Sequence, residues 1–501
     1  MPTSSLKKRY IIKLFANIVS GIIGAILIAI VPKSLGPIAY GQFIYIQNFF
    51  TQIIGFLDMG SSIAFFTKLS ADNNRKELIS FYFFYSFIIL LLVLSFVLAI
   101  NILGVSDKVL PNIPNQYIIM GLFYGFFVWI TQIFTKISDA YALTISVELL
   151  RIVHKIVSLL LLLYFIYFGD FDLENYFIFH YIALVSFLLI LIWLFIKKDI
   201  LRDIGGLSAL RSKLTSLVKE FVAYCHPLVV YSILSLIVGF LDIWMLQKFG
   251  GSEQTGFYGL AYSLAAICFL FTGAMTPIIT REFAKSYEEN DIEQMKKIFY
   301  RYIPMLYSIS AYFSIFVSFQ SENILMIFTD EKFKDAYLVL VIMALYPIHQ
   351  TYGQLSGSIF YATGQTKLMR NISLVTQPIG LLVSVLFIYL LDLGAEGLAY
   401  KMILMQFMGV NIQLYFNAKF LGFEMKYFVW HQFYAIIFFI FFAYISTLFI
   451  SFDSYVTEFF VSGFIYTILV IIFTYIFPQV FATSRDEIKQ VLIRLKDVIK
   501  R

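Results

Sequence analysis

Residues 10–31 read YIIKLFANIVSGIIGAILIAIV. Apart from Lys13 the run is free of charge, and at about 1.5 Å per helical residue it is long enough to cross a hydrocarbon core of roughly 30 Å. Lys7, Lys8 and Arg9 stand directly before it. A cleavable export signal has a shorter apolar core, so this segment is expected to stay as a first membrane span with its basic flank in the cytoplasm.

The rest of the chain repeats that pattern. Of 501 residues, 60% are hydrophobic and only 14% charged, and the mean hydropathy is +0.83. A soluble core needs nothing of the kind, so lipid is the expected solvent. Spans are predicted at 10–31, 41–66, 78–102, 116–135, 144–168, 175–196, 221–246, 256–280, 302–319, 336–361, 371–391, 397–418, 428–450 and 457–477. The fold class is therefore an all-α integral membrane protein of about fourteen transmembrane helices.

Threaded from a cytoplasmic amino terminus, the outer connections hold Lys33, Lys108, Lys248, Lys332 and Lys334 of the 37 Lys+Arg. Nearly all the others, such as Lys76, Arg211, Lys285 and Lys367, fall inside, as the positive-inside rule requires. Acidic residues such as Asp172, Glu322, Asp330 and Asp453 fall outside. One span more or fewer would invert every later loop, so the count is even and both termini are expected in the cytoplasm. Topology thus accounts for the formal charge of +6, and no nucleic-acid partner is implied. Cys225 and Cys268 lie in apolar stretches outside any CxxC or Cys/His cluster, against a disulfide framework or a zinc site.

The polar stretch 201–220, with Gly205 and Gly206, reads as a cytoplasmic linker between an N-lobe (1–200, six spans) and a C-lobe (221–420, six spans). Residues 421–480 supply two further spans. Residues 481–501 read as an amphipathic cytoplasmic helix, opened by a capping box of Ser484 and Glu487 and apolar at Ile488, Val491, Leu492, Leu495, Val498 and Ile499. The segment GPIAYGQF (36–43) has an echo in GSEQTGFY (251–258), as expected of transporters built from repeats.

No GxxxxGK[ST] phosphate loop occurs, and the outer connections are too short for a glycosyltransferase or polymerase site. The informative residues are charges that cannot leave the bilayer. After Lys155 only Ile156–Phe168 remain before the helix ends, about 20 Å, so the fifth span must begin well upstream. Glu148, Arg151 and Lys155 then share a face, beside His154, and two readings stand: a cationic patch for an anionic headgroup, or side chains reaching back to the cytoplasmic interface with Glu148 paired to Arg151. Lys401, one turn into the twelfth span, and Arg281, at an inner boundary, are the other candidate cations. Asp58, Asp242 and Glu148 are candidate acids, able to bind a driving proton or sodium ion or to pair structurally.

Several short motifs occur in order along the chain: Leu35-Gly36-Pro37, Tyr40-Gly41-Gln42-Phe43, Leu57-Asp58-Met59-Gly60, Asp242 before Gly250-Gly251, Gly256-Phe257-Tyr258-Gly259-Leu260-Ala261, Thr276-Pro277, Tyr361-Ala362-Thr363-Gly364-Gln365-Thr366-Lys367 and Leu393-Gly394-Ala395-Glu396-Gly397-Leu398-Ala399. Together they resemble the Wzx-like polysaccharide flippases of the multidrug/oligosaccharidyl-lipid/polysaccharide (MOP) exporter superfamily. The resemblance implies two pseudo-symmetric six-helix lobes around a central cationic cavity; the two extra helices, the thirteenth and fourteenth spans, go beyond the twelve-helix pattern of many members. It also implies transport, not catalysis, of an undecaprenyl-diphosphate-linked oligosaccharide (O-antigen, capsule or exopolysaccharide unit) across a bacterial cytoplasmic membrane. The implied partners are the lipid-linked glycan, the bilayer, a glycan polymerase and assembly proteins. No cofactor is implied beyond possible H+ or Na+ coupling. Arg151, Lys155, His154, Lys401 and Arg281 are the residues expected in such a cavity, and alanine at Arg151 or Lys155 is expected to lower export at unchanged abundance. A cation-coupled multidrug exporter of the same superfamily, and a polytopic glycosyltransferase or polymerase, are the rival readings.

Overall fold

The computed structural model describes residues 6–72, 74–141, 143–201, 207–226, 229–448, 450 and 452–490. Among them there is no strand, and each expected span falls on helical segments. Among the described residues, ten helices are long and apolar enough to cross a membrane. Two of these, Gly21–Asp58 and Ser232–Ala266, are of double length and each carries two expected spans. The expected tenth span falls on Tyr346–Ala362, only 17 residues long and polar at His349, Gln350, Thr351 and Gln354, and the twelfth on Gly394–Leu421, which carries Glu396, Lys401 and Lys419. The fifth helix starts at Thr144 and ends at Phe168, as the length argument on Lys155 requires.

Each double-length helix is broken at one glycine. Gly36 has φ 77 and ψ 169, and Gly251 has φ 78 and ψ −178, a region open in practice to glycine alone. They are the first residues of the two echoing segments, so the echo is a repeat of backbone conformation. With 36 matched to 251, 37 matches 252 and 41 matches 256. A Cβ on Gly41 would run into the Ser252 carbonyl oxygen, and a Cβ on Gly256 into that of Pro37. The contact is reciprocal, as between two-fold-related copies. Gly36→Ala should cost about 1–3 kcal/mol from backbone strain alone, read as an earlier thermal unfolding of the purified protein.

The described residues form two compact units, one of residues up to Leu27 with Ser34–Gly256, the other of Ile28–Lys33 with residues from Phe257 onward. In the first, the expected linker is mostly a helix, Leu207–Cys225, and residues 202–206 lie outside the described residues. The helix is clamped to the unit. Glu220 accepts from Lys68 Nζ at 2.7 Å and from Arg75 at 2.9 and 3.1 Å, Lys213 reaches Glu77 at 3.4 Å, and Phe221 packs against Phe81 at 4.9 Å. The unit extends past the expected linker to Gly256 because Val229–Met245 also packs into it, with Gly239 facing Gln52 and Phe240 5.6 Å from Phe49.

Hydrogen bonds from Arg75 and Lys68 hold the Glu220 carboxyl down at about 2. A carboxylate depressed in the folded state stabilises fully above its unfolded value, near 4.3, and loses that contribution as pH falls toward 2. Wild type should therefore outlast Glu220→Gln in thermal unfolding at pH 7, and the gap should close on acidification below about 4.

In the second unit Ile292–Phe319 packs on both Met425–Leu448 and Tyr455–Ile476. Aromatic contacts line these interfaces: Phe299 with Phe428 at 5.0 Å and Tyr312 with Tyr466 at 4.9 Å. After the last span the turn Pro478–Phe481 folds back, and the Val480 carbonyl accepts from Ser308 and His431. The capping box is present: Glu487 N–H donates to Ser484 Oγ at 3.3 Å and Ser484 N–H to Glu487 Oε2 at 3.2 Å. Glu487 also accepts two bonds from Arg301, at 2.7 and 2.6 Å. Beyond residue 490 the expected amphipathic helix lies outside the described residues.

Candidate functional site

The expected cationic face sits on helix Thr144–Phe168 in the first unit. Arg151 reaches back one turn along its helix to Glu148 and also across to a neighbouring helix. Its Nη1 donates to Glu148 at 3.0 Å, its Nη2 to Thr135 Oγ1 at 3.1 Å on the helix Asn115–Ala140, and its guanidinium lies 5.7 Å from the Phe187 ring centroid on Leu173–Lys197. Glu148 is only 3% exposed, so the pair is an inner component of the bundle. Removing the arginine would strand a buried carboxylate, which is itself costly, so Arg151→Ala is expected to lower abundance as well as transport.

Lys155, one turn on, is the freer cation. It borders a cavity of about 100 Å³ shared with Ile23, Gly24 and Leu27 of the first helix and Phe179. His154 is held by serines, Nε2 at 2.9 Å from Ser186 Oγ and Nδ1 at 3.4 Å from Ser158 Oγ, and its ring packs 5.1 Å from Phe187.

Asp58 is fully engaged. It ends one helix and opens the next, accepting from Ser61 Oγ (3.0 Å), Ser62 N–H (3.2 Å), Ser62 Oγ (2.8 Å) and Tyr82 OH (2.6 Å). Lys136 joins this network by donating to Ser62 Oγ at 2.6 Å. The sequence reading overlooked Lys136 because it lies just past the predicted end of the fourth span, where a lysine normally reaches water. Here it is half-buried, next in sequence to the Thr135 that holds Arg151. Its position on the same helix face as Asp139 was the available signal.

Asp242 is buried near the end of Val229–Met245. Arg281 and Lys401 belong to the second unit. Arg281 is exposed. Lys401 is 6% exposed, its stem packed on Gly380, where a Cβ would stand 3.4 Å from Lys401 Cε.

A bundle of this many apolar helices, with paired and half-buried charges inside it, defines a polytopic membrane protein of the transporter type. Its sequence matches the family described as "Polysaccharide biosynthesis protein" over residues 6–283, more than half of the chain, and the chain belongs to that family, within the MOP exporter superfamily. Residues 227–386 also match the family described as MatE. The probable low-salt glycan biosynthesis flippase Agl15 of Haloferax volcanii is 26% identical over 203 residues, 39% of this chain and 42% of that relative. The chain thus matches less than half the length of that curated relative.

Among solved structures, the lipid II flippase MurJ in an inward closed conformation is similar with a TM-score of 0.64 at 14% identity, covering 93% of this chain and 98% of that one. An inward-facing multidrug resistance MATE family transporter of the MOP superfamily has a TM-score of 0.59 at 16% identity, covering 84% and 96%. At these identities the likeness is one of fold.

Proposed function

We propose that this protein is a flippase that carries an undecaprenyl-diphosphate-linked oligosaccharide from the inner to the outer leaflet of a bacterial cytoplasmic membrane by alternating access. The family match over residues 6–283 carries the reading, and the relative described as a glycan biosynthesis flippase supports it. In this reading residues 1–200 and 221–420 act as the two lobes, both termini are cytoplasmic, and a glycan polymerase receives the product. A diphosphate must exchange its hydration for fixed cations and dipoles to cross, and Lys155, Lys136 and the Glu148-paired Arg151 supply them. No cofactor is needed. A proton or sodium gradient supplies the energy; Asp58, held by four hydrogen bonds, is set aside as the carrier.

The test is complementation of a strain lacking its lipid-linked-glycan flippase, with surface glycan and inner-leaflet precursor both measured. Restored surface glycan with a falling precursor pool is the expected result. The MatE match over residues 227–386 favours a second reading, a cation-coupled multidrug exporter. Drug efflux in the same strain, without glycan export, would establish that reading instead.

A further inference from the structure

Residues 103–114 connect the helices Glu77–Ile102 and Asn115–Ala140, and side chains from elsewhere hold this connection by its backbone carbonyls. The indole Nε1 of Trp244 donates to the Lys108 carbonyl at 2.9 Å, Tyr45 OH to that of Val109 at 3.0 Å, Gln247 Nε2 to that of Pro111 at 3.1 Å and Gln42 Nε2 to that of Asn112 at 3.2 Å. Asn112 Nδ2 donates in return to the Gln247 carbonyl at 3.4 Å. The connection turns at Gly104 and Asn112, both at positive φ, where glycine and asparagine are tolerated, and it buries Leu110 and Ile113.

The donors come from two places. Gln42 and Tyr45 belong, with the connection itself, to residues 1–200. Trp244 and Gln247 stand at the end of the seventh span, in residues 221–420. The connection thus gives two carbonyls to its own half of the chain and two to the other half. All of these residues lie in the first compact unit, on the side expected to face outward.

Gln247 is the poised member of the set. It lies in a π-helical turn, Leu246–Gly250, a form found often at functional sites, and its side chain is fully buried. Nε2 donates to Pro111 and also to Ser252 Oγ at 2.8 Å; a carbonyl only accepts, so the orientation of the amide is fixed. Oε1 is then buried without a donor. That cost falls on the closed arrangement alone, since water reaches Oε1 once the two halves part here. The contact is held shut without being locked.

We propose that residues 103–114 are the outer latch of the transport cycle. They stay with Gln42 and Tyr45 throughout, and let go of Trp244 and Gln247 when the outer side opens. The proposal rests on the alternating-access reading above.

The test is the distance between spin labels on the purified full-length protein, one at Asp107→Cys in the connection and one at Glu253→Cys beyond the π-helical turn. Both positions are exposed, and the native Cys225 and Cys268 are buried. Trp244→Phe keeps an aromatic ring and removes one donor. Gln247→Met keeps the shape and removes two donations, which outweigh the one unpaired acceptor lost with them. Each should enlarge the long-distance population by roughly threefold to tenfold, the equivalent of one neutral hydrogen bond. Trp244 is only half-buried, so Trp244→Phe decides alone if Gln247→Met does not fold. Tyr45→Phe removes a bond that the latch keeps throughout, and should leave the distribution as in the parent. An unchanged distribution in Trp244→Phe, or an equal enlargement in Tyr45→Phe, would overturn the proposal. The readout needs no cargo: failed glycan complementation with this distance pattern intact would refute the glycan reading and leave the latch standing.

Discussion

Lys155→Ala is expected to cut export of the lipid-linked glycan by roughly tenfold to a hundredfold, the equivalent of one charge-assisted hydrogen bond of about 1.5–3 kcal/mol, while the protein accumulates normally. Lys155 borders a cavity and makes no ion pair among the described residues, so its loss strands no partner. Arg151→Ala is expected to behave differently, losing both transport and abundance, because Glu148 stays buried without its cation. The variant that isolates the role of Arg151 is Glu148→Gln/Arg151→Gln, which removes both charges together. It should restore abundance without restoring export. Surface glycan measured against membrane-protein level separates the cases, and full export by Lys155→Ala would remove this helix face from the substrate path.

Gly41→Ala and Gly256→Ala should each destabilise the protein by about 3 kcal/mol or more, the upper range for overpacking. In both, the new methyl group would occupy the position of a backbone carbonyl oxygen, Ser252 for one and Pro37 for the other. Backbone cannot rotate away as a side chain can, so the two segments must part. Gly55→Ala is the control: nothing lies within 4 Å of its Cβ position, and in a helix interior the change should be neutral or stabilising by about 0.5–1 kcal/mol. Unfolding temperatures of the three variants in one detergent decide the matter. A Gly41→Ala protein as stable as Gly55→Ala would mean that the two segments do not cross at this distance.

The all-helical membrane fold and the start of the fifth span's helix near Thr144 were legible in the residues because hydropathy and the length of a helical turn are local and additive. The capping box at Ser484 and Glu487 was legible for the same reason, since both partners lie within one turn. The glycine echo was visible as a pattern, but its reciprocal contact was not, because it depends on two segments far apart in the chain coming together. Pairing across the bundle was likewise decided only by packing. Asp58 became a structural anchor because Tyr82 and the serines converge on it, and Lys136 was drawn in from a helix 74 positions away from Ser62. The polar stretch expected to be a linker became a docked helix because Lys68, 152 positions before Glu220, lies beside it once folded. A sequence states which charges must be neutralised inside a membrane protein, and helix packing chooses the partner, since that choice depends on the rotation and depth of each helix relative to its neighbours.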